Sequence, residues 1–195
     1  MKQKTYKDYI EEDNFYSGNY EVDGNRNTPI DTLIIHHSAG TDMTDWSDVQ
    51  VVDSISSFHK QRFYQNGLIN PRHTHRFKSE PVYCAYHFLA RYMTGYGEWR
   101  FTPTMYGIEK NVAGGTSLYL INRKAVQVCI LGDYRNVLPS NNFVDSFVYF
   151  FMPFAKEIKE QNIDLEVQPH KAFDDTTCPG LIADLIPEIR EKLLD

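Results

Sequence analysis

Seven histidines and three cysteines hold most of the chemistry open to this 195-residue chain. One cysteine, Cys178, stands in a polar, loop-like context, in the segment Pro169-His170-Lys171-Ala172-Phe173-Asp174-Asp175-Thr176-Thr177-Cys178-Pro179-Gly180. Imidazole nitrogen and thiolate sulfur are ligands that zinc takes, and a catalytic zinc commonly has three protein ligands with one position open. His170 and Cys178 lie eight residues apart. Pro179-Gly180 forms a sharp turn that can present the thiolate at a helix start, where the partial positive charge favours it. A third ligand must come from another segment, and His36, at the end of an apolar β-branched run, is the natural candidate. Taken singly, a histidine at a strand end or a lone His-Cys pair is as readily structural. Cys178 also has a competing role as the thiol nucleophile of a Cys/His hydrolase, although the following Pro-Gly and the spacing to His170 favour metal.

These residues need a scaffold. Residues 32–36 are expected to form a buried strand. Ser47 with Gln50 three residues later makes a capping box; Val51, Val52, Ile55 and Phe58 follow at helical spacing, so a helix should end near Lys60. Residues 84–91, 118–121 and 126–131 read as strands, the last closed by Gly132-Asp133, and residues 165–167 as a shorter one. Residues 94–117, rich in glycine and aromatics, read as irregular. Phe143, Phe147, Phe151, Phe154 and Ile158 predict a helix over residues 143–159 that Pro153 should kink or split. Residues 180–194 are expected to be helical, with Pro187 opening a second piece. Interleaved strands and helices give an α/β fold, a central mixed β-sheet flanked by helices in a single domain. Residues 1–30 are polar and Tyr-rich and read as an N-terminal extension with a short helix over 6–12. Residues 31–195 form the domain proper, with an inserted loop at about 61–83 rich in cations (Arg62, Arg72, His73, His75, Arg76, Lys78).

Composition narrows the function classes. Apolar residues at 42% and charged residues at 24% are ordinary for a folded globular chain. A net charge of −6 argues against a broad nucleic-acid-binding face, which needs a basic stripe. Cysteines numbering three do not make a disulfide framework; Cys84 and Cys129 sit in apolar runs and read as buried thiols. No apolar stretch approaches the roughly 18 residues of a membrane span. The N-terminus lacks the apolar core of a signal peptide, so synthesis in the cytoplasm is expected.

With the motifs set in order, the sequence becomes recognisable. Ile34-Ile35-His36-His37-Ser38-Ala39-Gly40 resembles the opening motif of the type 2 N-acetylmuramoyl-L-alanine amidases, a family that includes T7-type phage lysozymes and peptidoglycan recognition proteins. Ala85-Tyr86-His87-Phe88-Leu89 resembles the second motif. Asn122 followed by Val126-Gln127-Val128-Cys129-Ile130-Leu131-Gly132 resembles the Asn-to-strand segment. His170 through Gly180 resembles the closing motif, with the same His-to-Cys spacing. The resemblance implies that His36, His170 and Cys178 hold Zn2+, that Tyr86 and Thr176 are catalytic, and that residues 31–195 are a zinc amidase domain. The implied reaction is hydrolysis of the amide between N-acetylmuramic acid and L-alanine, with peptidoglycan or a muropeptide as partner. Zinc brings a bound water to a pKa of about 7 and polarises the carbonyl, while Tyr86 and Thr176 hydroxyls supply donors to the oxyanion. A phage endolysin that reaches the wall through a holin or another export route, acting as a monomer, fits the layout. The alternative is a recognition module that binds peptidoglycan without cutting it, as family members that lose the metal do; retention of all three ligands favours catalysis. A phage-particle protein with local wall-cutting activity is a third option.

The chain departs from the family in two places. Ser117 stands where T7-type relatives carry a histidine, and Gln127 stands where glycine is usual. His37 and His87 neighbour functional residues but should point to the opposite face, so structural roles are expected. His59 is expected to cap or pack at its helix end, where a cation is favoured. Asp174 and Asp175 read as turn residues that shape the loop, one of which can accept a proton from a group behind the ligands. The cations of residues 61–83 read as a solvated loop or a binder of anionic wall groups.

Overall fold

All six residues of Thr32–His37 are buried, as are all six of Ala125–Ile130. Such unbroken buried runs, apolar at most positions, suit parallel strands covered on both faces. In the computed structural model, which describes residue 5 and residues 28–64, 73–74, 81–104, 113–140 and 142–194, these runs are β1 and β6 at the heart of a sheet. The other strands are β2 (His73–Thr74), β3 (Pro81–Val82), β4 (Phe88–Met93), β5 (Glu98–Pro103) and β7 (Glu166–Pro169). The main sheet runs β5-β4-β6-β1-β7, and β2 and β3 form a separate antiparallel pair. β1 is parallel to β6 and β7, and β4 is parallel to β6 but antiparallel to β5. The sheet is therefore mixed, as expected.

Side chains alternate across it. Leu33, Ile35, Val126, Val128, Ile130, Phe88 and Val167 face a large core. That core is closed by helices α3 (Phe143–Glu160) and α4 (Ile186–Leu194), which follow α1 (Asp48–His59) and the one-turn α2 (Tyr119–Asn122). Leu89, Cys129 and Leu131 face the other way, against Met43 and α1 residues Val51, Val52 and Ile55. Ser47 caps α1 as its sequence predicts: the Ser47 hydroxyl accepts from the Gln50 N–H (3.3 Å) and the Gln50 carboxamide accepts from the Ser47 N–H (2.9 Å). α1 is anchored by Asp48, which accepts from Arg91 (2.7 Å), Arg100 (2.9 Å) and Thr102 (2.6 Å).

Several expectations are corrected. The strand expected over 84–91 begins only at Phe88, because Tyr83 and Ala85 give their N–H groups to Ser56 and His59 of α1 rather than to a neighbouring strand. Residues 94–117 are not irregular throughout: Tyr96 and Gly97 turn back onto Met93, and β5 follows. The strand expected over 118–121 is instead the turn of α2; Leu118, Tyr119 and Leu120 are exposed, so their apolar run has no core to join. Pro153 does not split α3, which runs 18 residues without a break. A proline inside a helix costs about 3 kcal/mol, and burying each of Phe147, Phe150, Phe151 and Phe154 returns about 1.5–3 kcal/mol. The tail is a 3-10 stretch, Gly180–Leu185, followed by α4 with Pro187 in its first turn. The expected helix over 6–12 and most of the 61–83 insertion, including His75, lie outside the described residues.

Candidate metal centre

Strand register brings the first two residues together. β7 pairs with β1 so that Ile35 lies beside Pro169. One step further along each strand are His36 and His170, whose ring centroids are 4.4 Å apart. The place is the carboxyl end of parallel strands, where α/β folds collect their ligand sites. The chain leaves β7 through a 3-10 turn, His170–Ala172, and Cys178 returns to it: the Lys171 N–H donates to the Cys178 carbonyl at 2.9 Å. The loop is held against the Tyr134 backbone by the Leu181 N–H (2.8 Å). Gly180 makes this approach possible, with φ of +67° and a position where a Cβ would lie 2.3 Å from the Tyr134 carbonyl oxygen. The result is a cluster in which ligand atoms of His36, His170 and Cys178 all lie within 4.8 Å of one another.

Each member is held from behind. His36 Nε2 lies 2.6 Å from Gln127 Oε1, and its Nδ1 is buried without a hydrogen-bond partner among the described residues. His170 Nε2 lies 2.6 Å from Asp174 Oδ2, and Asp174 also accepts from the Ser117 N–H (3.0 Å) and hydroxyl. Cys178 Sγ accepts from the His37 N–H at 3.2 Å, and the Cys178 N–H donates to Thr176 Oγ1 at 3.2 Å. Burial, then the charge of His170, pushes the His36 pKa down to about 3. Burial pushes the Cys178 thiol up to about 12 against the pull of the His37 N–H. Asp174 stays below the usual carboxylate range: partial burial raises it, and the hydrogen bonds from Ser117 and His170 outweigh that.

This arrangement fits a zinc ion. Two imidazole nitrogens and a thiolate sulfur form a borderline-soft donor set. The orphaned Nδ1 of His36 is a buried polar atom that costs about 1–3 kcal/mol if nothing binds it. The competing thiol-nucleophile chemistry needs an imidazole base hydrogen-bonded to the thiol, and the partners of Cys178 Sγ among the described residues are the His37 backbone N–H and carbonyl instead.

Tyr86 lies in the irregular segment before β4, its ring centroid 5.0 Å from His36 and 5.3 Å from His59. Burial first, then the neighbouring thiols of Cys129, Cys178 and Cys84, holds its hydroxyl well above the ordinary tyrosine value. It is thus a proton donor rather than a phenolate. His37 Nδ1 accepts from the Tyr134 N–H (3.1 Å) and His87 Nδ1 from the Gln127 N–H (2.8 Å), the structural roles expected. His59 packs, accepting from the Ala85 N–H at 3.1 Å, but not as a cation: burial lowers its pKa to about 4. Of the two aspartates, Asp174 is the one that meets His170; Asp175 is exposed. The sequence reading missed what Gln127 does. The signal was present, since a carboxamide inside an unbroken buried apolar strand must find a partner.

No protein-family model and no curated protein matches the sequence. Solved structures do. The endolysin of Thermus scotoductus bacteriophage Ph2119 superposes with a TM-score of 0.55 at 18% identity, covering 96% of this chain and 95% of that one. The endolysin N-acetylmuramoyl-L-alanine amidase LysCS from Clostridium intestinale gives 0.57 at 20% identity, covering 90% and 92%. Peptidoglycan recognition protein LE, in complex with tracheal cytotoxin, gives 0.54 at 19% identity, covering 90% and 88%. This chain therefore has the fold shared by N-acetylmuramoyl-L-alanine amidases and peptidoglycan recognition proteins.

Proposed function

We propose that this protein is a zinc-dependent N-acetylmuramoyl-L-alanine amidase, acting on peptidoglycan as a phage endolysin or a similar wall-lytic enzyme. The observation that carries the reading is the convergence of His36 from β1 with His170 and Cys178 from the loop after β7, each backed by its own hydrogen bond. Those three residues would hold the metal. Zinc supplies a Lewis acid that polarises the scissile carbonyl and acidifies water. The chain supplies the rest. The His37 N–H favours the thiolate form of Cys178. Tyr86, kept protonated and hydrogen-bonded to Cys129, would turn its O–H to the oxygen that gains charge as the carbonyl is attacked. Thr176 Oγ1 accepts from the Cys178 N–H, which leaves its own proton free for a substrate oxygen. The fold's kinship with a tracheal-cytotoxin complex supports a muropeptide as the molecule recognised.

The test compares wild type with Cys178→Ser for zinc content and for release of free stem peptides from purified peptidoglycan. About one zinc per chain, with release that fails in the variant, is the expected result. A metal-free wild type that binds wall without releasing peptides would overturn catalysis in favour of a recognition module.

A further inference from the structure

The position of one proton decides whether His36 is a ligand. A neutral imidazole carries hydrogen on one ring nitrogen and a lone pair on the other, and what the first nitrogen bonds to sets which is which. His36 meets Gln127, a carboxamide that is a donor at one head atom and an acceptor at the other. The contact alone leaves the assignment open.

The neighbours of Gln127 close it. Its second head atom lies 3.0 Å from Asn122 Oδ1. Asn122 is itself held between both backbone groups of Thr116. The Thr116 N–H reaches Asn122 Oδ1 at 3.0 Å, and Asn122 Nδ2 reaches the Thr116 carbonyl at 2.9 Å. A backbone N–H only donates and a carbonyl only accepts, so the Asn122 amide has one permitted orientation. Its oxygen must face Gln127, so the atom it meets must be the Gln127 amide nitrogen. Gln127 therefore turns its oxygen to His36, and the His36 nitrogen at 2.6 Å must carry the hydrogen. Nδ1 is left with the lone pair, and it is the atom without a partner. Every group in this chain is buried: Gln127 is 0%, His36 1%, Asn122 6% and Thr116 8% exposed. Water does not scramble the order, and a reversed carboxamide would bury like against like at about 1–3 kcal/mol per lost bond.

Gly115 leaves the room for it. A Cβ there would stand 2.6 Å from Gln127 Oε1, 2.8 Å from its Cδ and 3.1 Å from His36 Nε2. Any other residue at 115 would push the carboxamide off the imidazole.

We infer that Gln127 is a positioning residue which, oriented by Asn122 and the Thr116 backbone and admitted by Gly115, fixes His36 in the Nε2–H tautomer and so assigns Nδ1 as its metal-binding atom. This rests on the zinc reading above for its purpose, but the tautomer can be read without metal. The experiment is imidazole 15N–1H correlation spectroscopy on the metal-free protein at pH 7.5, with zinc affinity measured alongside by chelator competition. Wild type should show His36 as the pure Nε2–H form. Gln127→Met keeps the volume and removes the acceptor; it should give mixed tautomers and a zinc affinity about 10–100-fold weaker. Gly115→Ala removes no polar group but displaces the Gln127 carboxamide, and it should move both readouts in the same direction. Gln127→Met with wild-type tautomer or wild-type affinity would overturn the inference, and so would a wild-type His36 protonated at Nδ1. If wild type takes up no zinc, the metal reading fails, and the metal-free spectra still decide the relay.

Discussion

Asp174 offers a graded test of how the second histidine is held. Its Oδ2 lies 2.6 Å from His170 Nε2 and 3.0 Å from the Ser117 N–H, and its Oδ1 takes the Ser117 hydroxyl. Asp174→Asn can keep its amide oxygen at the Oδ2 position, retaining both N–H donors. The new amide nitrogen would then face the Ser117 hydroxyl, which can rotate from donor to acceptor. Geometry survives and the charge is lost. A charge-assisted hydrogen bond is about twice as strong as a neutral one, so the loss is about 1 kcal/mol, or roughly fivefold in zinc Kd. Asp174→Ala removes the acceptor, frees the imidazole to rotate, and should weaken zinc about 10–100-fold. With Asp174 only 17% exposed, solvent substitutes poorly for the lost carboxylate. The assay is competition against a zinc chelator at fixed ionic strength, with a denaturant melt to confirm that each variant is folded. Wild-type zinc affinity in Asp174→Ala, or an Asn variant weaker than the Ala variant, would refute the reasoning.

Other outcomes follow from the scaffold and its buried histidines. Asp48→Ala strands the Arg91 guanidinium, which is 1% exposed, and should cost about 3–5 kcal/mol. By calorimetry that is a fall in Tm of about 6–20 °C; Asp48→Leu combined with Arg91→Met should recover most of it. Burial raises the Asp48 pKa, but bonds from Thr102 and Arg91 outweigh this and leave it lowered. Its contribution is therefore full above an unfolded pKa of about 4 and lost as pH falls through the lower folded value. His36 and His59 have folded pKa values of about 3 and about 4, below an unfolded value of about 6.5. Between those limits only the unfolded chain binds the protons. The metal-free protein should therefore lose stability as pH falls from 6.5, by about 1.4 kcal/mol per pH unit for each histidine. Denaturant melts at pH 7, 6 and 5 would show it, and a flat profile would contradict neutral burial.

The candidate ligands His36, His170 and Cys178, the capped helix α1, the β1 and β6 runs and the apolar face of α3 were all legible in the sequence, because each depends on residue type and local spacing. His-to-Cys spacing, a Ser-x-x-Gln box and phenylalanines at helical period need no knowledge of the rest of the chain. Tertiary structure decided the remainder. Residues 118–121 look like a strand until the exposure of Leu118, Tyr119 and Leu120 shows that no core waits for them. Pro153 should break a helix, yet the buried phenylalanines around it outweigh the lost bond. Gln127 reads as an oddity in an apolar strand, and Ser117 as the loss of a histidine. Only the fold places one against His36 and the other against Asp174, residues 91 and 57 positions away in the chain. Local pattern fixes which residues can bind metal. The direction of each imidazole depends on hydrogen-bond polarity passed between distant segments, and that exists only once the strands have paired.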